Sequence, residues 1–337
     1  MPEWSPPRLE ARLPFLDARA RMTEAARRWL RRRGLREVET PCLVPAPGME
    51  VHLRGFRSEF LPHLGQGERR SLWLRTSPEM ALKRLLAGGA GPVFEFARVW
   101  RNGERGRTHA PEFTMLEWYR PGFTLEALMD ETEALVRALC PHPSCTAPFE
   151  RITCAEAFRR WVGLDLLASI RPDGSGDGAA LGARADESWE DAFFRLLLEH
   201  VEPRLGQERA AFLTHWPAPQ AALARRDEGD PRVALRFELY AGGMELANAF
   251  DELTDEAEQR RRFAHDVAER TRLYGPGESW PADEDFLQAV GAMPAGSGIA
   301  LGWDRLVMLA TGARRIEDVL WLGAFPYEQG AGALGEA

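Results

Sequence analysis

The chain has 337 residues, 45% hydrophobic and 28% charged, enough to bury a sizeable core in one large domain or two ordinary ones. A net charge of −8 and a pI of about 5.6 exclude a global basic footprint for nucleic acid. The longest apolar runs, such as 319–325, are far too short to span a bilayer. Residues 1–16 lack the basic and apolar regions of a signal peptide, so a cytoplasmic protein without a membrane partner is expected.

The pattern predicts a helix over 17–33, with Met22, Ala25, Ala26, Trp29 and Leu30 on one stripe and Gly34 closing it. Its basic run, Arg27, Arg28, Arg31, Arg32 and Arg33, reads as a solvated face. A short strand over 36–39 stops at Pro41, and a helix over 76–86 opens on Ser77-Pro78-Glu79, where serine can cap and proline suits the first turn. Strands over 93–101 and 112–119 flank a polar loop. Alternation puts Phe113, Met115, Glu117 and Tyr119 on one face. A helix over 124–139 follows.

Cys42, Cys140, Cys145 and Cys154 contain no CxxC pair, and the segment CPHPSC at 140–145 fits no common zinc spacing, so reduced thiols are expected. Residues 171–186, rich in Gly, Asp and Ala, read as a flexible surface insertion, and 190–198 as helical. Strands over 233–240 and 244–250 form a second hairpin. If Ala241-Gly242 is its two-residue turn, Glu238 faces Glu245 directly. Such like charges destabilise a hairpin unless a cation such as Mg²⁺ bridges them or both point into solvent. Simple alternation also puts Glu245 on the opposite face from Asn248 and Glu252, so a bulge must intervene if all three line one site. A helix over 256–271, a Pro/Gly/Trp loop, and a glycine-rich strand running into a helix ended by Gly312 complete the chain, and the Gly/Ala-rich last ten residues are expected to fray.

Two arginines, an aromatic ring and several carboxylates suit ATP and a cationic amino acid. Arg101 ends one strand, Phe113 offers a ring for a base, Glu117 offers a carboxylate for an amine, and Arg305 lies near a helix N-terminus, a natural anion site. Attack of a substrate carboxylate on the α-phosphorus builds negative charge that positioned Arg and Mg²⁺ stabilise, and no nucleophilic side chain is required.

These residues sit in recognisable motifs. FARVWRNGERGRTHAPEFTMLEWY resembles motif 2 of class II aminoacyl-tRNA synthetases, GSGIALGWDRLVML resembles their motif 3, and GLREVETPCL resembles the end of motif 1. RTSPEMALKRLL and GGMELANAFDELTD are similar to the lysyl group, and most of all to its truncated paralogues that attach (R)-β-lysine to elongation factor P. The resemblance covers about 12–322. It implies an α+β class II aminoacyl-tRNA synthetase catalytic fold, a mainly antiparallel sheet flanked by helices, as one domain over 12–325, and a homodimer formed partly across the motif 1 helix.

By that resemblance, Arg101 holds the α-phosphate, Phe113 stacks on adenine, Arg305 reaches the γ-phosphate and His109 meets the phosphates. Asn102, Gly103, Glu245, Leu246 and Gly302 complete the ATP-binding set, and Glu238 and Glu245 hold Mg²⁺. Ser77, Pro78, Glu79, Glu117, Tyr119, Asn248 and Glu252 match the lysine pocket, with Glu252 on the ε-amine and Glu79 and Glu117 near the backbone amine. A substrate with two ammonium groups needs carboxylates at both ends, because an unpaired ammonium is costly to desolvate.

Three departures stand out. Gly103 replaces the usual glutamate after Arg-Asn, with Glu104 next, and Ala110 replaces the usual asparagine before Pro-Glu-Phe. Ala300 replaces the glycine typical of lysyl-tRNA synthetases, as in the elongation factor P ligases, and its methyl group reshapes the space beside the α-carbon in favour of a β-amino acid. Only about a dozen residues precede the motif 1 helix, too few for an anticodon-reading barrel, so the expected acceptor is a lysine of elongation factor P and not tRNA. The competing expectations are a lysyl-tRNA synthetase-like enzyme that makes adenylates or charges tRNA, and a non-catalytic module that senses lysine or ATP.

Overall fold

The computed structural model describes residues 4–62 and 67–323. An eight-stranded sheet organises the chain: β1 (Arg36–Glu37), β5 (Val93–Trp100), β6 (Glu112–Pro121), β7 (Glu150–Thr153), β8 (Ala211–Pro217), β9 (Val233–Ala241), β10 (Met244–Asp251) and β11 (Gly296–Gly302), in spatial order β1-β5-β6-β11-β10-β9-β8-β7. The two outermost pairs are parallel and the five inner pairings antiparallel. A smaller antiparallel sheet joins β2 (Leu43–Val44), β4 (Arg70–Leu74) and β3 (Phe56–Phe60). This is the expected α+β fold.

Helices α1 (Pro6–Arg32), α3 (Leu125–Leu139) and α9 (Trp303–Thr311) cover one part of the large sheet. There Leu30, Trp118, Leu135, Phe237, Trp303 and Leu306 form the main core. Helices α4 (Cys154–Trp161) and α6 (Trp189–Leu196) close a second core around Phe158, Phe193 and Trp216. A third joins Trp73 of β4 to α7 (Glu256–Tyr274) and α8 (Glu284–Ala292) through Trp280, Phe263 and Phe286.

Several elements differ from the sequence reading. Helix α1 starts at Pro6, well before residue 17, because proline suits its first turn, and it continues past Pro14. Strand β1 is only two residues long. Residues 171–186, expected as a flexible insertion, are tied into the fold: Asp177 caps the short helix α5 (Gly178–Leu181), and Leu181 is buried in the second core. Gly176 lies so close to Trp189 that an added Cβ would fall 2.2 Å from the indole. The glycine-rich end of the chain lies outside the described residues.

The second hairpin turns at Gly242-Gly243, one residue later than expected. Met244 pairs with Ala241, and both glycines have positive φ (59° and 71°), as a two-residue turn of this handedness requires. Glu245 therefore faces Tyr240, and Glu238 faces Asn248. The register shifts between Glu245 and Ala247, so the bulge required by the site is present.

Candidate active site

The strand register lays the site out as rows across one sheet face. One row runs Glu95, Glu117, Ala300, Asn248, Glu238 over five neighbouring strands. The next runs Tyr119, Gly298, Phe250, Arg236. Toward the opposite end lie Met115 beside Gly302, and Glu245 beside Tyr240. Phe113 lies two residues before Met115 and so shares its face. The face therefore has an arginine-rich end near Phe113 and Arg305 and a carboxylate-rich end near Tyr119 and Glu252.

At the carboxylate end, Glu117 is fully buried. It accepts hydrogen bonds from Ser77 Oγ at 2.7 Å and from Tyr119 OH at 3.2 Å. Burial first, then the charge of Glu79, pushes its carboxyl up to about 8. Its cross-strand neighbour Glu95 is neutralised by Arg75 at 2.8 Å and by a bond from Thr40 Oγ1 at 2.7 Å. Helix α2 (Glu79–Ala87) follows Pro78, and Ser77 Oγ accepts from the Glu79 N–H at 2.9 Å, so one hydroxyl ties the helix start to Glu117.

Glu252, just beyond β10, is buried as well and is pushed up to about 8 by desolvation, opposed by Lys83. It does not stand free for an amine: its Oε2 lies 2.6 Å from Lys83 Nζ, which also donates to Glu79 Oε1 at 2.6 Å. Neither of its oxygens has a well-aligned hydrogen-bond partner among the described residues; Oε2 is held by the Lys83 ion pair alone, and Oε1 has no such pair. Only glycine fits beside it at 298, where a Cβ would meet the Tyr119 ring at 2.2 Å and Glu252 Oε1 at 2.5 Å. Ala300 sits in register between Glu117 and Asn248, its small side chain only partly buried.

At the arginine end, the Arg101 guanidinium carbon lies 5.1 Å from the centroid of the Phe113 ring, and Arg101 Nη1 is 3.6 Å from Glu104. Gly103 has φ of 87°, a backbone conformation that suits glycine, and the neighbouring Glu104 is the carboxylate that lies beside Arg101. Asn102 holds the loop through its N–H, which donates to Arg54 O at 2.7 Å. Arg305 donates to Glu245 O at 2.9 Å, lies 3.5 Å from Glu245 Oε2, and has Nη2 2.5 Å from His109 Nε2. Burial and then Arg305 hold His109 below its usual range, so the neutral ring accepts from the guanidinium. Ala110 packs in the main core. Leu246, the extra residue of the bulge, also buries its side chain there, so only its backbone can meet a ligand.

The expected Glu238–Glu245 metal pair is not a direct cross-strand pair. Glu238 accepts from Arg236 Nη2 at 2.5 Å and from Tyr240 OH at 2.6 Å, while Tyr240 OH also lies 3.1 Å from Glu202 Oε1. Desolvation, opposed by Arg236, pushes Glu238 up to about 7. Glu245 is half-exposed at the arginine end. Among the described residues no three His, Cys, Asp or Glu side chains gather to hold a metal ion; of this pair Glu245 is the accessible carboxylate, while Glu238 is engaged by Arg236 and Tyr240.

The whole chain resembles known proteins. A family model described as "tRNA synthetases class II (D, K and N)" matches residues 8–329. An elongation factor P–(R)-β-lysine ligase of Salmonella arizonae is 43% identical over 322 residues, 94% of this chain and 96% of that protein. Proteins of the same name from Haemophilus influenzae and Salmonella paratyphi B are each 42% identical over 94% of this chain and 96% of their own length. The chain belongs to the class II tRNA synthetase family. It is an ATP-dependent ligase of that family. Among the described residues no helix is long and apolar enough to cross a membrane.

The candidate site contains residues that the sequence reading did not single out: Lys83, Arg236, Tyr240 and Glu202. Lys83 lies one helical turn after Glu79 on the buried side of α2, an i,i+4 signal. Arg236 and Tyr240 flank Glu238 at the two-residue period of one strand face.

Proposed function

We propose that this chain joins (R)-β-lysine to a lysine side chain of elongation factor P at the expense of ATP. The observation that carries the reading is the row Glu117–Ala300–Asn248, flanked along the strands by Glu252 on one side and by Arg101, His109 and Arg305 on the other. The curated relatives bear that activity in their names.

Glu252, with Tyr119 beside it, receives the terminal ammonium, and Glu117 and Glu79 receive the other. Asn248 and Ala300 line the floor between them. The substrate carboxylate is thereby aimed at the arginine end, where one of its oxygens attacks the α-phosphorus of ATP and pyrophosphate leaves. Arg101 stabilises the charge that develops on the α-phosphoryl oxygens, and Arg305, held by His109, faces the leaving group. Phe113 stacks on the base. A magnesium ion held by Glu245 and Glu238 supplies neutralisation of phosphate charge when bound. The acceptor lysine then attacks the activated carbonyl as its neutral amine; AMP leaves, an amide forms and the amine loses its proton to solvent. In this reading the protein works in the cytoplasm as a homodimer, with a protein acceptor in place of tRNA.

Lysine-dependent exchange of labelled pyrophosphate into ATP tests the first half-reaction. Exchange that requires both ATP and (R)-β-lysine or lysine is the expected result; exchange driven by neither amino acid overturns the proposal.

A further inference from the structure

Lys83 is only 2% exposed, yet its ammonium sits between two carboxylates of the amino-acid pocket, 2.6 Å from Glu79 and 2.6 Å from Glu252. Desolvation alone would strip its proton, but Glu252 and Glu79 outweigh it and hold Lys83 charged. Glu117 brings the pocket's carboxylates to three, so with Lys83 the fully ionised pocket carries two net negative charges. Asp251 lies next in the chain but is bound by Arg225, and Glu50 is exposed and screened by solvent.

We infer that Lys83 is a positioning residue that sets the charge of the pocket: its buried ammonium bridges Glu79 and Glu252 and offsets part of their negative charge, matching the site to a ligand with two ammonium groups. The inference rests on the amino-acid activation proposed above. Three carboxylates without the lysine would hold one charge more than the ligand can neutralise, and a surplus buried carboxylate takes up a proton instead. Because Lys83 already occupies Glu252 Oε2, the free Oε1 is the atom left for the ligand. Lys83 therefore also selects which edge of Glu252 meets the substrate.

The test is pyrophosphate exchange and calorimetric lysine binding on the full-length protein carrying Lys83→Met, which keeps the length of the side chain and removes its charge. The expected result is a KM and Kd for lysine raised by about tenfold or more, with KM for ATP within about twofold and the pH at which lysine binding improves moved upward. Lys83→Arg, which keeps the charge, is expected to retain more of the lysine affinity than Lys83→Met, and serves as the comparison if the methionine variant does not fold. Unchanged lysine affinity in Lys83→Met, a parallel loss for lysine and ATP, or a Lys83→Arg variant with no lysine affinity would overturn the inference. An inactive wild-type protein would instead overturn the activation reading beneath it.

Discussion

Glu117 and Glu252 are both carboxylic acids pushed up to about 8 by burial in the pocket. Between the ordinary carboxyl value and about 8, the folded protein holds protons that the unfolded chain has released, so this pair makes the protein less stable as pH rises through that window. An ammonium ligand reverses the effect by drawing both groups into the ionised form. Lysine affinity is therefore expected to rise from about pH 6 to about pH 8, with protons released on binding. Calorimetry in buffers of different ionisation enthalpy measures both, and a flat affinity across that range would contradict the assignment. Ala300 makes a separate prediction. Ala300→Gly removes the methyl group between Glu117 and Asn248, and is expected to shift preference toward α-lysine by about 1–3 kcal/mol in relative kcat/KM. Most of these residues are legible in the sequence because each falls in a motif. Lys83 is not, since a lysine on a helix ordinarily reads as solvated, and its buried pairing depends on Glu252, brought in from beyond β10, as well as on Glu79 of its own helix.

At the scale of elements, the site depends on two backbone devices. The bulge at Leu246 brings Glu245 onto the same face as Asn248 and Phe250, and Gly298 lets Tyr119 and Glu252 approach one another. Gly298→Ala is expected to raise KM for lysine by about tenfold or more while leaving KM for ATP nearly unchanged, because the added Cβ would lie 2.2 Å from the Tyr119 ring at the end of the site away from Phe113. Steady-state exchange kinetics check this, and an equal rise in both constants would contradict it. The hairpins and the helix start at Ser77 follow from local signals in the sequence. The turn at Gly242-Gly243 does not, because the Ala-Gly-Gly run offers two adjacent turns. The choice between them lies in the need for positive φ at both central positions, which glycine meets without strain. That difference, together with the bulge, moves the partner of Glu238 from Glu245 to Asn248, and a metal pair inferred from cross-strand register moves with it.

Across the whole molecule, α1 is fastened to the catalytic sheet through buried polar groups. Arg19 pairs with Asp304, which is 1% exposed, and Asp304 accepts from the Thr114 N–H at 2.7 Å, joining α1 to the elements that carry Arg305 and Phe113. Arg19→Ala strands that carboxylate and is expected to destabilise the fold by about 3–5 kcal/mol, read as a lowered denaturation midpoint; a midpoint within error of wild type would contradict the tether. The fold class is legible from motif order, and helices from their apolar stripes. The first turns of α1 are not, because Pro6, Pro7 and Pro14 read as breaks where the helix in fact begins and passes. The measurement that bears most directly on the proposed activity is the intact mass of elongation factor P after incubation with this protein, ATP, Mg²⁺ and (R)-β-lysine. A gain of one β-lysyl group on the factor, larger with (R)-β-lysine than with α-lysine, is the predicted result. An unmodified factor, with lysine found instead on tRNA, would contradict it.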